Sequence, residues 1–259
     1  MKKILIVGAG GQIGSELVPH LRSIYGNSNV VAADISAEKC KALAEAGPFE
    51  ELNALDGEGF SAIVKKYNID TIFNLVALLS ATGEKNPKLA WDINIGALTN
   101  SLYIAKDNNC AVFTPSSIGA FGNDTPKDKT PQDTLQRSNT TIYGVCKVTG
   151  ELLSDYYFNR FGVDTRSVRF PGGGTTDYAV EIYYDAIRKG SFTCNVKEGT
   201  YMDMMYMPDA LNAVVQLMEA DPSKLKHRNS FNIASMSFEP EQIAAEIRKH
   251  LPDFKMGYQ

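Results

Sequence analysis

Cysteine and histidine are scarce in this 259-residue sequence, and neither is arranged for metal binding or disulfide formation. The few that occur are scattered along the chain: Cys40, Cys110, Cys146, Cys194, His20, His227 and His250. Because no C-x-x-C pair is present and the histidines lie far apart, the sequence predicts neither a zinc site nor a disulfide framework. We interpret the cysteines as structural thiols of a reducing compartment.

Long apolar runs and runs of basic residues are also missing. No stretch approaches the roughly 20 apolar residues of a membrane span, and the apolar start at residues 4–7 leads into glycines without a signal-peptide pattern. A formal net charge of -4 without a Lys/Arg run leaves no basic footprint for nucleic acid. These absences predict a cytoplasmic protein that binds neither membranes nor nucleic acid, so its partner is expected to be a small molecule.

What is present is an ordinary globular composition, 44% hydrophobic and 22% charged, with strands and helices in alternation. Strands are predicted at residues 2–7, 30–33, 51–55, 71–79, 111–115, 191–196 and 230–234. Helices are predicted at 15–24, 38–46, 60–67, 89–105, 178–188, 209–218 and 240–250, and another carries Tyr143. This order predicts an α/β fold, a Rossmann-type doubly wound parallel sheet in residues 1–170 with a small C-terminal α/β substrate lobe in 171–259.

A glycine-rich turn joins the first strand to the first helix. Gly8, Gly11 and Gly14 allow a tight turn, close approach of a pyrophosphate, and access to the free N–H groups of the helix. The second strand ends in Asp34, whose carboxylate can accept hydrogen bonds from adenosine ribose hydroxyls and would repel a ribose phosphate. The sequence therefore predicts NAD, rather than NADP, as cofactor.

The candidate cofactor-binding residues lie in this turn, after the first four strands and on the tyrosine helix. They are Gly8, Gly11, Gln12, Ile13, Gly14, Asp34, Ile35, Leu55, Asp56, Leu75, Ala77, Tyr143 and Lys147. Asp56 could meet an adenine edge or act as an ordinary turn carboxylate before Gly57, and the sequence leaves both open.

Tyr143 and Lys147 stand four residues apart, a spacing that places them on one face of a helix. A free phenol has a pKa of about 10, but an ammonium one turn away stabilises the phenolate, so the tyrosine could act as a base. An exposed Tyr and Lys on an ordinary helix is the alternative for an isolated pair. Here Ser117, at the carboxyl edge of the fifth strand, faces the same predicted crevice.

The glycine turn, Asp34, Ser117 and Tyr143-x-x-x-Lys147, in this order, resemble the extended short-chain dehydrogenase/reductase family over the chain to about residue 170. Three further stretches are similar to one branch, the NAD-dependent L-threonine 3-dehydrogenases related to UDP-galactose epimerase. They are LLSATGE at 78–84, GGTTDYAV at 173–180 and MMYMPDA at 204–210.

The resemblance implies oxidation of the β-hydroxyl of L-threonine to 2-amino-3-oxobutanoate, with hydride transfer to NAD. Ser117 would hold the hydroxyl, Tyr143 would take its proton, and Lys147 would bind the nicotinamide ribose. The implied substrate-binding residues are Ser80, Ser117, Tyr143, Thr175 and Thr176. Ser80 could equally bond its own loop, and Asn94 could support the site or be an ordinary helix residue. A homodimer through the helices at 89–105 and 143–158 is also implied.

The sequence departs from this branch in two places. In the family, an additional loop separates the strand that ends near Gly172 from the glycines that follow, whereas here the glycines follow at once. Family members also continue for several dozen residues beyond the position of Gln259, and this continuation completes their substrate lobe.

Two other functions compete with this interpretation. A nucleotide-sugar enzyme of the same family would keep the cofactor site and the Ser/Tyr/Lys set, but it would need arginines for a diphosphate, and no arginine cluster is present. A dinucleotide-sensing binding protein would typically have lost the tyrosine or the lysine, and this chain has both.

Overall fold

The computed structural model describes residues 1–133, 140–172, 177–228 and 230–259. The strands are β1 (Ile4–Val7), β2 (Val30–Asp34), β3 (Phe49–Glu51), β4 (Thr71–Asn74), β5 (Ala111–Phe113), β6 (Ser116–Ser117), β7 (Thr165–Arg166), β8 (Val168–Phe170), β9 (Ser191–Cys194), β10 (Met202–Met204), β11 (Phe231–Asn232), β12 (Met236–Phe238) and β13 (Lys255–Tyr258). The helices are α1 (Gln12–Tyr25), α2 (Lys41–Ala46), α3 (Gly57–Tyr67), α4 (Ser80–Gly83), α5 (Pro87–Asn108), α6 (Ile142–Phe161), α7 (Tyr178–Lys189), α8 (Met207–Glu219) and α9 (Pro240–Arg248).

A parallel sheet in the order β3-β2-β1-β4-β5-β7 is the centre of the amino-terminal fold. Every residue of β1 is buried, as expected for a strand covered by helices on both faces. The reversal of strand order between β1 and β4 is the topological switch point at which such sheets bind ligands. The predicted Rossmann-type doubly wound sheet is confirmed.

A smaller sheet in the order β11-β8-β6 carries the Ser116–Ser117 strand. β8 pairs in parallel with β11, with Val168 opposite Phe231. The serine segment is therefore fixed by main-chain pairing to a strand that follows α6 in the chain.

The chain forms two compact units that are not consecutive segments. The first contains residues 1–169 and 211–232, and the second contains 170–210 and 233–259. Residues 211–232, predicted from the sequence to lie in the C-terminal lobe, belong to the first unit. The guanidinium of Arg166 donates to the carbonyls of Leu217 and Ala220, and β11 pairs with β8, so long-range contacts bring these residues back to the first unit.

The second unit has its own α/β core. β10 pairs with β12 in antiparallel orientation, and β9 pairs with β13 in parallel. Its buried cluster includes Tyr178, Ile182, Ala186, Phe192, Cys194, Met204, Ile243, Ala244, Ile247 and Phe254. Met204 packs against Gly172, where a Cβ would lie 2.9 Å from the methionine sulfur, so this methionine fills a gap beside the main chain.

Three local predictions around the parallel sheet need correction. β3 covers Phe49–Glu51 instead of 51–55, because the chain turns at Asn53, which accepts hydrogen bonds from the N–H groups of Leu55 and Asp56. β4 ends at Asn74 instead of residue 79. The predicted loop that begins at Ser80 is the single-turn helix α4.

The four cysteines are buried free thiols. Burial raises the pKa of Cys110 to about 11, with Asp70 adding to the effect. Across the described ranges, no group of three or more candidate metal ligands is found. No helix in the described part of the chain is long and apolar enough to cross a membrane.

Candidate active site

The glycine turn after β1 is shaped by contacts that exclude larger side chains. Gly8 has φ +87°, and a Cβ there would lie 3.1 Å from the main chain of Leu75 and Val76. At Gly14 a Cβ would lie 2.4 Å from the carbonyl oxygen of Gly8, so only glycine lets α1 start this close to the turn. Leu75, a predicted cofactor residue, donates its N–H to the carbonyl of Val7 at 2.9 Å. The turn and the end of β4 are therefore packed together.

The first turn of α1 faces this loop with its main-chain donors. The helix begins at Gln12, which Ile13 follows. Its N-cap residue, Gly11, has no side chain to accept a hydrogen bond from the first turn. The first N–H groups of an uncapped helix are available to an anion, and the helix dipole favours negative charge there. This end of α1 fits the pyrophosphate of a dinucleotide.

Asp34 closes the other side of the turn. Its Oδ2 accepts a hydrogen bond from the N–H of Gly10 at 2.8 Å, and its Oδ1 accepts one from Ser36 at 2.9 Å. Each carboxylate oxygen keeps acceptor capacity for a ribose hydroxyl. The large side chains of Ile35 and Leu55 are 67% and 43% exposed, as expected of apolar groups that a bound ring could cover.

Asp56 has a structural role at the start of α3. Its Oδ1 accepts a hydrogen bond from Gly59 N–H at 3.0 Å and caps α3. Of the two alternatives from the sequence, the structure shows the local carboxylate, and a contact with adenine stays a prediction. Ala77, half-buried, lies in the segment that follows β4.

Tyr143 and Ser117 meet at Gly119. Tyr143 lies in the first turn of α6, which Thr141 caps by accepting the N–H of Gly144 at 3.0 Å. A Cβ on Gly119 would be 3.3 Å from Cε1 of the tyrosine ring, so the ring rests on the main chain there. Ser117 Oγ accepts the N–H of Gly119 at 3.0 Å. The serine hydroxyl is thereby oriented beside the tyrosine.

Lys147 lies one helical turn after Tyr143. Its Nζ is 5.2 Å from the centre of the Tyr143 ring and donates to the carbonyl of Pro115 at 2.6 Å. The structure thus brings Ser117, Tyr143 and Lys147 together around residues 115–119. A hydroxyl, a phenol and an ammonium in this arrangement can hold an alcohol, accept its proton and supply nearby positive charge.

The structure describes some of the predicted substrate-binding residues and not others. Ser80, half-buried, is the first residue of α4, and its hydroxyl makes no hydrogen bond to the described residues. Thr175 and Thr176 lie outside the described residues. Asn94 is buried and holds the segment before Ser80: its Oδ1 accepts the Leu78 N–H at 2.7 Å, and its Nδ2 donates to the Leu78 carbonyl at 3.2 Å.

Sequence reasoning missed a buried ionic group beside Ser117. Glu151 is 5% exposed and pairs with Arg169, which is 3% exposed, and the hydroxyl of Ser116 donates to the same carboxylate. Glu151 follows Lys147 by four residues, so the helical spacing that relates Tyr143 to Lys147 could have pointed to it. Its partners on β6 and β8 could not be read from that spacing.

Comparison with known proteins agrees with this geometry. A family model described as NAD dependent epimerase/dehydratase family matches residues 4–234. The chain belongs to the NAD dependent epimerase/dehydratase family. The predicted NAD cofactor and enzyme class are therefore confirmed at the level of the family.

Relatives and solved structures resemble the whole chain. An uncharacterized epimerase/dehydratase from Staphylococcus haemolyticus is 56% identical over 268 aligned positions, which span 100% of this chain and 84% of the relative. Because the alignment exceeds 259 residues, this relative has residues inside the aligned span that this chain lacks. The missing loop after Gly172 stays a prediction.

Two solved structures in the same family carry more specific names. The L-threonine dehydrogenase of Clostridium difficile is 55% identical, with a TM-score of 0.94, and the match covers 100% of this chain and 84% of that one. A monomeric L-threonine 3-dehydrogenase from a metagenome is 42% identical, with a TM-score of 0.91, and the match covers 99% and 84%. Our chain, as a member of this family, therefore has the extended short-chain dehydrogenase fold.

Proposed function

We propose that the protein oxidises L-threonine at its β-hydroxyl to 2-amino-3-oxobutanoate, with NAD as acceptor, as a step of threonine degradation. The observation that carries the proposal is the clustering of Ser117, Tyr143 and Lys147 around Gly119 and Pro115. Similarity to solved threonine dehydrogenases supports the choice of substrate.

Three features of the chain's own residues support NAD as the cofactor. Glycines leave room that a Cβ would fill, the start of α1 is uncapped, and Asp34 is oriented by two main-chain N–H groups. When bound, NAD supplies the hydride acceptor. The residues that would hold it are those of the glycine turn, Asp34, Ile35, Leu55 and Lys147.

Each residue of the cluster has a defined role in the proposed reaction. Ser117 Oγ would bind the substrate hydroxyl, and the phenolate oxygen of Tyr143 would take the hydroxyl proton as the Cβ–H bond breaks. Lys147 would supply positive charge beside that oxygen and bind the ribose. General-base help of this kind is worth roughly 10²- to 10⁴-fold in rate, and orientation of the substrate must supply much of the rest.

The three buried arginines among the described residues favour a small substrate over a nucleotide sugar. Arg22 donates to three main-chain carbonyls, Arg166 pairs with Asp164, and Arg169 pairs with Glu151. Each of these buried guanidiniums is already engaged, whereas a diphosphate is typically bound by arginine forks.

A direct assay tests the proposal. NADH formation is followed at saturating NAD with L-threonine. Conversion of UDP-glucose is followed in parallel by chromatography of the sugar nucleotide, because epimerisation and dehydration return the hydride and leave no net NADH. We expect turnover with L-threonine alone, and we expect Tyr143→Phe to reduce it by at least about 10²-fold while NAD affinity stays nearly unchanged. Turnover of the sugar nucleotide alone would favour the alternative function, and near-normal turnover by Tyr143→Phe would refute the assigned base.

We also propose a homodimer formed through α5 and α6. Tyr103, Leu152, Tyr156 and Phe161 are large and exposed, and the rings of Tyr156 and Phe161 are in edge contact. Contiguous exposed apolar groups of this kind often mark an interface. Light scattering should show a dimer that Leu152→Asp dissociates, whereas a monomeric wild type, as in the metagenome relative, would refute the dimer.

A cytoplasmic location completes the proposal, because a reducing compartment maintains four buried free thiols. Fractionation of the source cells should recover the chain with cytoplasmic markers. Its recovery with extracellular or membrane fractions would refute this location.

A further inference from the structure

Three side chains at successive turns of α6 contact one short segment, residues 115–119, which carries Ser117. The first two are Tyr143, whose ring rests on Gly119, and Lys147, whose Nζ donates to the carbonyl of Pro115. The third is Glu151, one turn further along the helix. We call these contacts the α6 clamp.

Glu151 makes the third contact through Ser116. The Ser116 hydroxyl donates to Oε1 of Glu151, and Arg169 donates from Nε to Oε1 at 3.0 Å and from Nη2 to Oε2 at 2.9 Å. Ser116 immediately precedes Ser117 in β6. The carboxylate therefore ties α6 to the strand that carries the serine.

Arg169 is itself immobilised on other sides. Its Nη1 donates to the carbonyl of Gln132 at 3.1 Å and to Oδ1 of Asn232 at 2.9 Å, and its guanidinium lies 5.1 Å from the ring centre of Phe121. A planar guanidinium held at several donors fixes the orientation of its bidentate partner. Arg169 thus sets where the Glu151 carboxylate can lie.

Polar contacts as well as close packing join the segment to α6. A cavity of about 30 Å³ lies beside the clamp, and its lining includes Pro115, Ser116, Lys147, Gly150 and Glu151. Next to this gap, the hydrogen bonds of the clamp contribute to the relative position of strand and helix.

We propose that Glu151, oriented by Arg169, is a positioning residue that fixes Ser117 relative to Tyr143 and Lys147. The inference rests on the proposed function, because its kinetic consequence is a loss of turnover in alcohol oxidation. A misplacement of about 1 Å of a reacting group can cost about 10²-fold in rate. No contact of Glu151 with substrate or cofactor is required.

Glu151→Gln is the main test, because it keeps the shape of the side chain and removes one acceptor. The amide nitrogen would face a donor of Arg169 or displace the Ser116 contact, so the group cannot keep all its hydrogen bonds. We expect kcat with L-threonine to fall at least about tenfold, with KM for NAD and L-threonine within about twofold of the wild type.

Asp164→Asn is the matched control. Asp164 is also a carboxylate on a buried arginine, Arg166, but its contacts lie away from residues 115–119. It should lower the midpoint of urea unfolding while kcat of the folded enzyme stays within about twofold. A fall in kcat of less than about tenfold in Glu151→Gln, or an equal fall in Asp164→Asn, would overturn the proposal.

If Glu151→Gln does not fold, Ser116→Ala is the second test, because it removes only the hydroxyl contact of the carboxylate. We expect kcat to fall by roughly two- to tenfold, because β6 loses one of its contacts with α6 and Ser117 can shift. An unchanged kcat would overturn the proposal.

A structural readout separates this inference from the proposed function. If the wild type leaves L-threonine unoxidised, the function fails, and crystal structures of wild type and Glu151→Gln decide the clamp alone. The proposal expects Ser117 to shift relative to Tyr143 and the 2.6 Å contact between Lys147 and Pro115 to change. Superimposable segments would overturn it.

Discussion

The ring of Tyr143 rests on the main chain of Gly119, where a Cβ would approach its Cε1 to 3.3 Å. The same Cβ would lie 3.4 Å from the hydroxyl oxygen of Ser117. One methyl group at this position would therefore press on two members of the proposed catalytic set at once.

Gly119→Ala should lower kcat by roughly tenfold or more. The added methyl group forces the tyrosine ring to move by a few tenths of an ångström, which changes its position relative to the serine hydroxyl. The affinity for NAD should stay near that of the wild type. Steady-state kinetics and fluorescence titration with NADH give the two quantities. Gly257→Ala is the control, since its Cβ would have no neighbour closer than 3.7 Å; equal kcat in both variants would contradict the expectation.

Gly14→Ala should damage the cofactor turn. Its Cβ would lie 2.4 Å from the carbonyl oxygen of Gly8, a distance that forces α1 away from the turn. Overpacking of this kind typically costs about 1–3 kcal/mol, so the urea midpoint should fall and NAD should bind more weakly. Calorimetric titration that shows unchanged NAD affinity would argue against the assigned pyrophosphate site.

Asp34 should determine the preference for NAD over NADP. The carboxylate is held by Gly10 and Ser36, so it cannot easily turn away from an added phosphate, and like charges in contact cost several kcal/mol. The ratio of kcat/KM for NAD to that for NADP should be large in the wild type and fall at least about tenfold in Asp34→Asn. Equal use of both cofactors by the wild type would refute this role.

Substrate choice should favour a compact amino acid. Ser80 offers a hydroxyl without a partner among the described residues, which suits the ammonium or carboxylate group of an amino acid. L-Serine lacks the γ-methyl group and should lose about 10- to 200-fold in kcat/KM. L-allo-Threonine should also react poorly, because inversion at Cβ turns the hydride or the hydroxyl away from its acceptor. Initial rates of NADH formation compare the three amino acids, and equal rates would refute a specific threonine site.

Much of the cofactor half could be predicted because its signals are local. β1, the glycine turn, α1, β2 and Asp34 follow one another in the chain, and the structure shows them in that order. The predicted end of β3 is wrong because Leu52 and Ala54 are apolar and buried, as in a strand, although the chain turns at Asn53.

The clamp beside Ser117 could be predicted only in part. The spacing from Tyr143 to Lys147 is local to α6, and Glu151 continues it. Ser116 and Arg169 reach that carboxylate across 35 and 18 residues of sequence, and this depends on how β6 and β8 pack on the helix. The periodicity of a single segment does not predict contacts between residues that are far apart in the sequence.

Residues 211–232 complete the first unit, although the ribosome makes them after the second unit's first segment. A ribosome releases residues 1–169 first, then 170–210, and only afterwards the stretch that receives the guanidinium of Arg166. Until α8 has emerged, this buried cation lacks its carbonyl partners on the helix, so the nascent first unit is incomplete. The amino-terminal fold is therefore completed only after residues 170–210, which belong to the second unit, have been translated.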